Sequence, residues 1–135
     1  LHVRSRRQRQ MCKETDELKS SRKIYFYDNG IRNAVIANFA LAETRPDIGA
    51  LFENFIVSER IKFLHYHHLW YNTWFWRTTA MQEIDFIEEG NGQLAAYEFK
   101  WNPKRIAKVP KTFTNSYPNA TFNVITRDNV EEFLL

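Results

Sequence analysis

Alternating polar and apolar residues on both sides of an Asn-Gly pair constrain this chain more than any other feature. The alternation runs through residues 83–87 and 97–100, and Asn91-Gly92 lies between them. A period of two is typical of half-buried strands, and Asn-Gly accepts the positive φ angles of a tight hairpin turn. The sequence therefore predicts a β-hairpin that brings Asp85 close to Glu98.

The polar residues of this hairpin carry the chemistry. Glu98 and Lys100 are two residues apart and share one face of the predicted strand, whereas Tyr97 and Phe99 share the other. Two acids and a lysine on one patch of sheet are suited to hold a divalent metal beside a phosphate, as in a metal-dependent nuclease. The alternative is an ion-pair cluster on a solvated sheet face, which would contribute little to stability.

The composition limits the classes of function that this chain can have. The chain has 135 residues, enough for one domain with a real core, and its 16% aromatic content indicates an aromatic core or interface. A net charge of +3 permits nucleic-acid binding without requiring it. The single cysteine, Cys12, excludes an internal disulfide and is typical of a reducing cytoplasm. The scattered glycines form no phosphate-binding loop, so ATP hydrolysis by this chain is not expected, and no segment is apolar enough to span a membrane.

The organisation read from the sequence is a leader followed by one domain. Residues 1–22 are polar and basic, and we expect them to be poorly ordered, with a nucleic-acid-binding arm as the alternative. Residues 23–135 form the domain. Its predicted elements are a strand at 24–27, helices at 31–39 and from 46 to about 65, strands at 70–77, 81–88 and 93–101, a helix at 110–117, a strand at 121–125 and a helical turn at 129–134.

These residues resemble the PD-(D/E)XK nuclease signature, with Glu53 on the first long helix, Asp85 on the second strand of the meander and Glu98-Phe99-Lys100 on the third. The resemblance implies an α/β fold with a restriction-endonuclease-like αβββαβ core, in which a mixed sheet is flanked by helices. By helical periodicity Glu59 lies nearer the middle of the apolar stripe than Glu53, but the family motif selects Glu53.

A more specific resemblance covers residues 23–135, through Lys23-Ile-Tyr-Phe-Tyr, Gly49-Ala-Leu-Phe-Glu53 and Glu83-Ile-Asp85-Phe. These motifs are similar to those of a C-terminal domain of unknown function that follows the ATPase module in prokaryotic AAA+ family ATPases. The resemblance implies a nuclease-like domain whose partner is that ATPase module. The alternative is a catalytically inactive nuclease fold that serves as a binding or regulatory module.

In the nuclease interpretation, Asp85 and Glu98 bind Mg²⁺ or Mn²⁺ through hard oxygen ligands, and Glu53 completes the metal shell. Lys100 positions the attacking water or stabilises charge on the phosphoryl oxygens. The expected substrate is DNA, with RNA as the second candidate.

A basic segment follows the proposed site. We expect its side chains to contact the phosphate backbone, together with Arg77 from the neighbouring strand. The alternative is a solvated loop. The residues of this basic segment are Lys104, Arg105, Lys108 and Lys111.

Overall fold

The structure, a computed structural model, describes residues 23–135 in full and the backbone of residues 5–11. Six strands form one mixed sheet in the order β2-β1-β3-β4-β5-β6, and helices flank it. The strands are β1 (Ser5–Met11), β2 (Lys23–Phe26), β3 (Asn72–Arg77), β4 (Glu83–Gly90), β5 (Gln93–Lys100) and β6 (Thr121–Thr126). The helices are α1 (Asn29–Val35), α2 (Ile48–Tyr66), α3 (Lys111–Ser116) and α4 (Val130–Leu134), with a 3-10 turn at Ala42–Thr44.

The predicted hairpin is formed by β4 and β5. Gly90 pairs with Gln93, which leaves Asn91 and Gly92 as a two-residue turn. Their φ angles are 53° and 75°, the left-handed values that such a turn requires and that asparagine and glycine tolerate best. The local sequence signal and the structure agree here.

A β-bulge lies where β3 meets β4. The pairing register shifts between Trp74 and Trp76, so that Phe75 alone faces two residues of β4, Asp85 and Phe86. A bulge of this kind bends its strand and redirects one side chain. Since Asp85 is one of the two bulged residues, the bulge lies within the candidate site.

The sheet buries both of its faces. One apolar cluster lies between the sheet and helices α2 and α4, and a second lies on the side of α3. The buried residues of the first are Tyr25, Phe52, Ile56, Val57, Ile61, Phe86, Phe99, Ile125 and Phe133. Those of the second are Trp76, Ile84, Ile87, Ala96 and Phe113.

The order α2-β3-β4-β5-α3-β6 confirms the predicted succession of helix, three-strand meander, helix and strand. The short helix predicted at 31–39 is wrong at its carboxyl end, because α1 stops at Val35 and Ala37 takes a positive φ of 51°. Helix α1 also buries none of its residues, and Phe39 is 74% exposed. Apolar spacing therefore overstated how far this helix continues.

Strand β1 lies within the leader, where the sequence analysis expected little order. Its backbone pairs antiparallel with β2 and parallel with β3, so it joins the two strands within one sheet. Backbone hydrogen bonds of this kind need no apolar alternation in the strand itself. The remaining leader residues, 1–4 and 12–22, lie outside the described part of the chain. No helix in the described part has the length and apolarity needed to cross a membrane.

Candidate functional site

One buried asparagine of helix α2 forms hydrogen bonds with the backbone of strand β2. Asn54 is 4% exposed; its Oδ1 accepts a hydrogen bond from the Phe26 N–H at 2.7 Å, and its Nδ2 donates to the Phe26 carbonyl at 3.0 Å. This side chain satisfies two backbone groups of the strand, which a buried sheet edge would otherwise leave unpaired. The contact holds Lys23 and Tyr25 of β2 against the neighbouring residue of α2, Glu53.

The ammonium group of Lys23 lies among three carboxylates. Its Nζ is 3.0 Å from Glu53 Oε1 and 3.3 Å from Asp85 Oδ1, and it also bonds Glu83. The Tyr25 hydroxyl donates a second hydrogen bond to Glu53 Oε1, at 2.6 Å. One lysine from β2 therefore connects an acid of α2 with two acids of β4.

Asp85 also holds the hairpin at the point where its ladder ends. The last pair between β4 and β5 in this direction is Phe86 with Tyr97, and beyond it the Phe99 N–H donates to Asp85 Oδ2 at 3.0 Å. The carboxylate thus replaces a backbone acceptor where the strands part. Asp85 uses one oxygen for β5 and the other for Lys23.

Glu98 and Lys100 form the other half of the predicted site. The Lys100 Nζ is 2.5 Å from Glu98 Oε1, so the lysine neutralises the acid two residues away on the same strand. Tyr97 and Phe99 pack in the cluster under α2, which confirms the predicted division of β5 into two faces. Glu98 lies opposite Asp85 when the hairpin register is continued from Phe86 and Tyr97.

The electrostatics show that the acids of this cluster repel one another. Burial raises the pKa of Glu53 and of Glu98, and the charge of Asp85 raises both further. Burial alone would lower the pKa of Lys23, but attraction to Glu53, Asp85 and Glu83 outweighs it and raises the pKa. The pKa of Glu83 is lowered because hydrogen bonds from Lys23 and Arg77 outweigh its burial. The cluster is therefore strained by like charge and held by Lys23.

The donor chemistry of Glu53, Asp85 and Glu98 fits a hard divalent cation, since all three offer carboxylate oxygens. Their arrangement, however, is organised around the Lys23 ammonium group. Within residues 23–135, no three acidic, histidine or cysteine side chains are grouped closely enough to hold a metal ion. Lys23 contacts one oxygen of Glu53 and one of Asp85, so a metal bound by these acids would lie beside its ammonium group.

The residues predicted to contact nucleic acid divide into two groups. Arg77 bonds Glu83 Oε2 at 2.6 Å and so belongs to the edge of the acid cluster, while its neighbour Trp76 is core, 6% exposed. The other four basic residues lie on the exposed surface of the segment from β5 to α3. They are Lys104, Arg105, Lys108 and Lys111.

Glu59, the alternative acid of α2, forms an ion pair within its own helix. Its carboxylate pairs with Lys62 at 2.5 Å, and its side chain is 37% exposed. Glu53, in contrast, faces Lys23 and Tyr25 of β2. Of the two acids, Glu53 is the one beside Asp85.

Sequence reasoning missed Lys23, Tyr25 and Glu83 as members of the site. Lys23 and Tyr25 are two apart on β2, and Glu83 and Asp85 are two apart on β4, so each pair shares a strand face. That spacing was the available signal. The docking of β2 on α2, which brings the pairs together, has no local signature.

Comparison with known proteins gives one family. The model of a domain of unknown function, DUF4143, matches residues 48–133, which include Glu53, Asp85, Glu98 and Lys100. Comparisons with curated proteins and with solved structures give no significant match. Since the family model matches more than half of the chain, the protein belongs to the DUF4143 family.

Proposed function

We propose that this protein is a nuclease-like domain that cleaves DNA phosphodiester bonds with the help of Mg²⁺ or Mn²⁺. The observation that carries the proposal is the acid cluster: Glu53 and Asp85 meet at Lys23, Lys100 lies beside Glu98, and burial together with the charge of Asp85 raises the pKa of Glu53 and of Glu98. Groups with pKa values perturbed by burial and by a specific charge are concentrated at functional sites. The order of helices and strands agrees with the restriction-endonuclease-like core that we propose for the fold.

The cluster carries more negative than positive charge. Four acids, Glu53, Glu83, Asp85 and Glu98, are matched by three basic groups, those of Lys23, Arg77 and Lys100. A purely structural network gains nothing from an excess of one sign, because every unmatched acid adds repulsion. A net negative site is what a divalent cation requires.

Each residue has a role in this proposal. Asp85 and Glu98, with Glu53, would hold the cation, and Lys100 would position the attacking water or stabilise negative charge at the phosphoryl oxygens. A bound divalent cation polarises the phosphoryl group and lowers the pKa of bound water. The exposed basic residues from Lys104 to Lys111 would contact the DNA backbone.

The proposed setting follows from the resemblance to ATPase-linked domains. We place the domain in the cytoplasm, with the ATPase module of a AAA+ protein as its partner and DNA as its substrate. RNA is the second candidate substrate. The exposed basic segment supports a polyanionic substrate of either kind.

A second function, an inactive nuclease fold that serves the ATPase as a binding or regulatory module, is favoured by one observation. Lys23 already supplies a positive charge to Glu53 and Asp85, through one oxygen of each. In this version the acids and lysines stabilise the surface that binds the partner.

The first test is titration calorimetry with Mn²⁺ on the wild type, on Asp85→Ala and on Glu59→Ala. We expect saturable binding that Asp85→Ala abolishes and that Glu59→Ala retains, because Glu59 is paired with Lys62 away from the cluster. Absence of binding by the folded wild type would favour the regulatory module. If binding is found, loss of DNA cleavage in Lys100→Ala separates catalysis from metal binding alone.

A further inference from the structure

Lys23 is the most unusual charged residue in the described part of the chain. Its ammonium group contacts acids from two different elements, α2 and β4, and lies 5.6 Å from the centre of the Phe75 ring. The side chain is only 17% exposed. A lysine in this position places a positive charge in the middle of a group of carboxylates.

The position of Lys23 in the fold makes it displaceable. It is the first residue of β2, which lies at the edge of the sheet and pairs with β1 alone. Lysine carries its charge on a flexible four-carbon chain, so the ammonium can leave the cluster without moving the backbone. Glu53 and Asp85, in contrast, are fixed by Tyr25 and by the Phe99 N–H.

We propose that Lys23 is a built-in counter-cation that positions Glu53 and Asp85 and competes with a divalent metal for their oxygens. This inference rests on the proposed function, because it concerns the same site. Lys23 keeps the acids together while no metal is bound, and it withdraws when a cation of higher charge enters. The residue is therefore a positioning residue that sets how tightly the site binds metal.

Charge and geometry support the competition. Lys23 contacts one oxygen of Glu53 at 3.0 Å and one oxygen of Asp85 at 3.3 Å, so a metal held by the same two carboxylates would lie close to the ammonium charge. A metal must therefore displace Lys23 or bind beside an extra positive charge, and either reduces its affinity. Removal of the lysine charge should relieve this cost.

The experiment is Mn²⁺ calorimetry on the full chain with Lys23→Met, which keeps an unbranched side chain of nearly the same length and removes its charge. We expect the Kd for Mn²⁺ to fall at least about tenfold relative to the wild type. Lys23→Arg, which retains the charge, should bind no more tightly than the wild type. Lys62→Met removes a lysine from an ion pair outside the cluster and should leave the Kd unchanged.

Without Lys23 the acids repel one another, and this repulsion opposes folding. A second variant therefore carries fewer acids. Lys23→Met combined with Glu83→Gln removes one acid with the lysine and retains Glu53 and Asp85. We expect it to bind Mn²⁺ more tightly than Glu83→Gln alone. Binding of equal strength in the two backgrounds would show that Lys23 plays no part in metal affinity.

The outcomes separate this inference from the proposed function. Equal Mn²⁺ affinity in the wild type and in Lys23→Met would overturn the inference and leave the proposed function in place. Absence of binding in every folded variant would overturn both. Binding by Lys23→Met and not by the wild type would support the competition and favour a regulatory module in the native protein.

Discussion

Helix α2 meets strand β4 through charged side chains at two places, and the two are built differently. Arg60 forms a two-pronged pair with Glu88, with its Nε 2.7 Å from Oε1 and its Nη2 3.0 Å from Oε2. Its third nitrogen, Nη1, donates to the Phe133 carbonyl at 2.6 Å. About two helical turns earlier, Glu53 reaches Asp85 only through the shared Lys23.

The difference separates a stabilising pair from a candidate site. The Arg60 pair balances one charge with one, its acid side chain is 5% exposed, and the guanidinium also stacks on Phe63 and Phe133. The Lys23 cluster has more acids than basic groups, and burial together with the charge of Asp85 raises the pKa of two of these acids, Glu53 and Glu98. Removing one partner of a paired buried charge destabilises a fold strongly, whereas a cluster with unmatched charge is retained at a cost that function can explain.

The largest expected effect comes from breaking the balanced pair. Arg60→Ala leaves the buried Glu88 carboxylate without its partner, so we expect the free energy of unfolding to fall by about 3–5 kcal/mol. Urea unfolding measures this change, and Mn²⁺ affinity should stay that of the wild type. The double variant Arg60→Ala with Glu88→Ala should lose less stability than the sum of the two single changes. A loss of unfolding free energy below about 1 kcal/mol for Arg60→Ala would show that the Arg60–Glu88 pair is not the stabilising contact that distinguishes it from the Lys23 cluster.

A smaller effect should appear in the pH dependence of stability. The folded pKa of Glu53 lies above its ordinary 4.5, so its contribution is full below pH 4.5 and is lost as pH rises through the raised value. Relative to the wild type, Glu53→Gln should therefore gain stability as pH increases above about 4.5. Urea unfolding at a series of pH values between 4 and 8 measures the difference.

Asp47 supplies a control of opposite sign. Hydrogen bonds from Arg45 and Arg32 hold the pKa of Asp47 below its ordinary 3.8. Its contribution is present above pH 3.8 and lost as pH falls through the lowered value, so the cost of Asp47→Asn should shrink on acidification. Between pH 4 and 8 the cost of Asp47→Asn should therefore stay level, and an equally level result for Glu53→Gln would contradict the assignment of Glu53 to a strained cluster.

The smallest effect should come from a pair that belongs to neither region. Lys62 and Glu59 are neighbours on α2 with side chains 30% and 37% exposed. Exposed helix pairs three or four residues apart contribute about 0.2–0.5 kcal/mol, so loss of this pair in Lys62→Ala should change the free energy of unfolding by no more than that. Urea unfolding of Lys62→Ala and of Arg60→Ala under the same conditions compares the loss of unfolding free energy from an exposed pair with the loss from a buried pair. A loss above about 2 kcal/mol would show that exposure is a poor guide here.

The hairpin and the main helix were predictable because their signals are local. Asn91-Gly92 specified the turn, alternation specified the strand faces of β5, and Pro46 with Asp47 indicated the start of α2, which begins at Ile48. Side chains within such elements follow the backbone period. The proximity of Asp85 to Glu98 followed from the hairpin alone.

The contacts of Lys23 were not predictable in this way, because they depend on how distant elements dock. Asn54 brings β2 to α2, and nothing in the sequence around Asn54 indicates that it binds a strand. The bulge did leave a trace, since the alternation expected over residues 83–87 fails at its end, where Phe86 and Ile87 are adjacent apolar residues. Strand β1 left none, because its pairing is made by the backbone.

Strand β1 has a consequence for how the protein folds. Its pairing with β3 joins Arg9 to Trp74, a contact between residues very far apart in the chain, whereas the β4–β5 hairpin closes locally. Contacts of high sequence separation lose more chain entropy before they form, and they slow folding. We therefore expect the hairpin that carries Asp85 and Glu98 to form early. The sheet edge that delivers Lys23 to them should be completed last, so the acids meet before their counter-charge arrives.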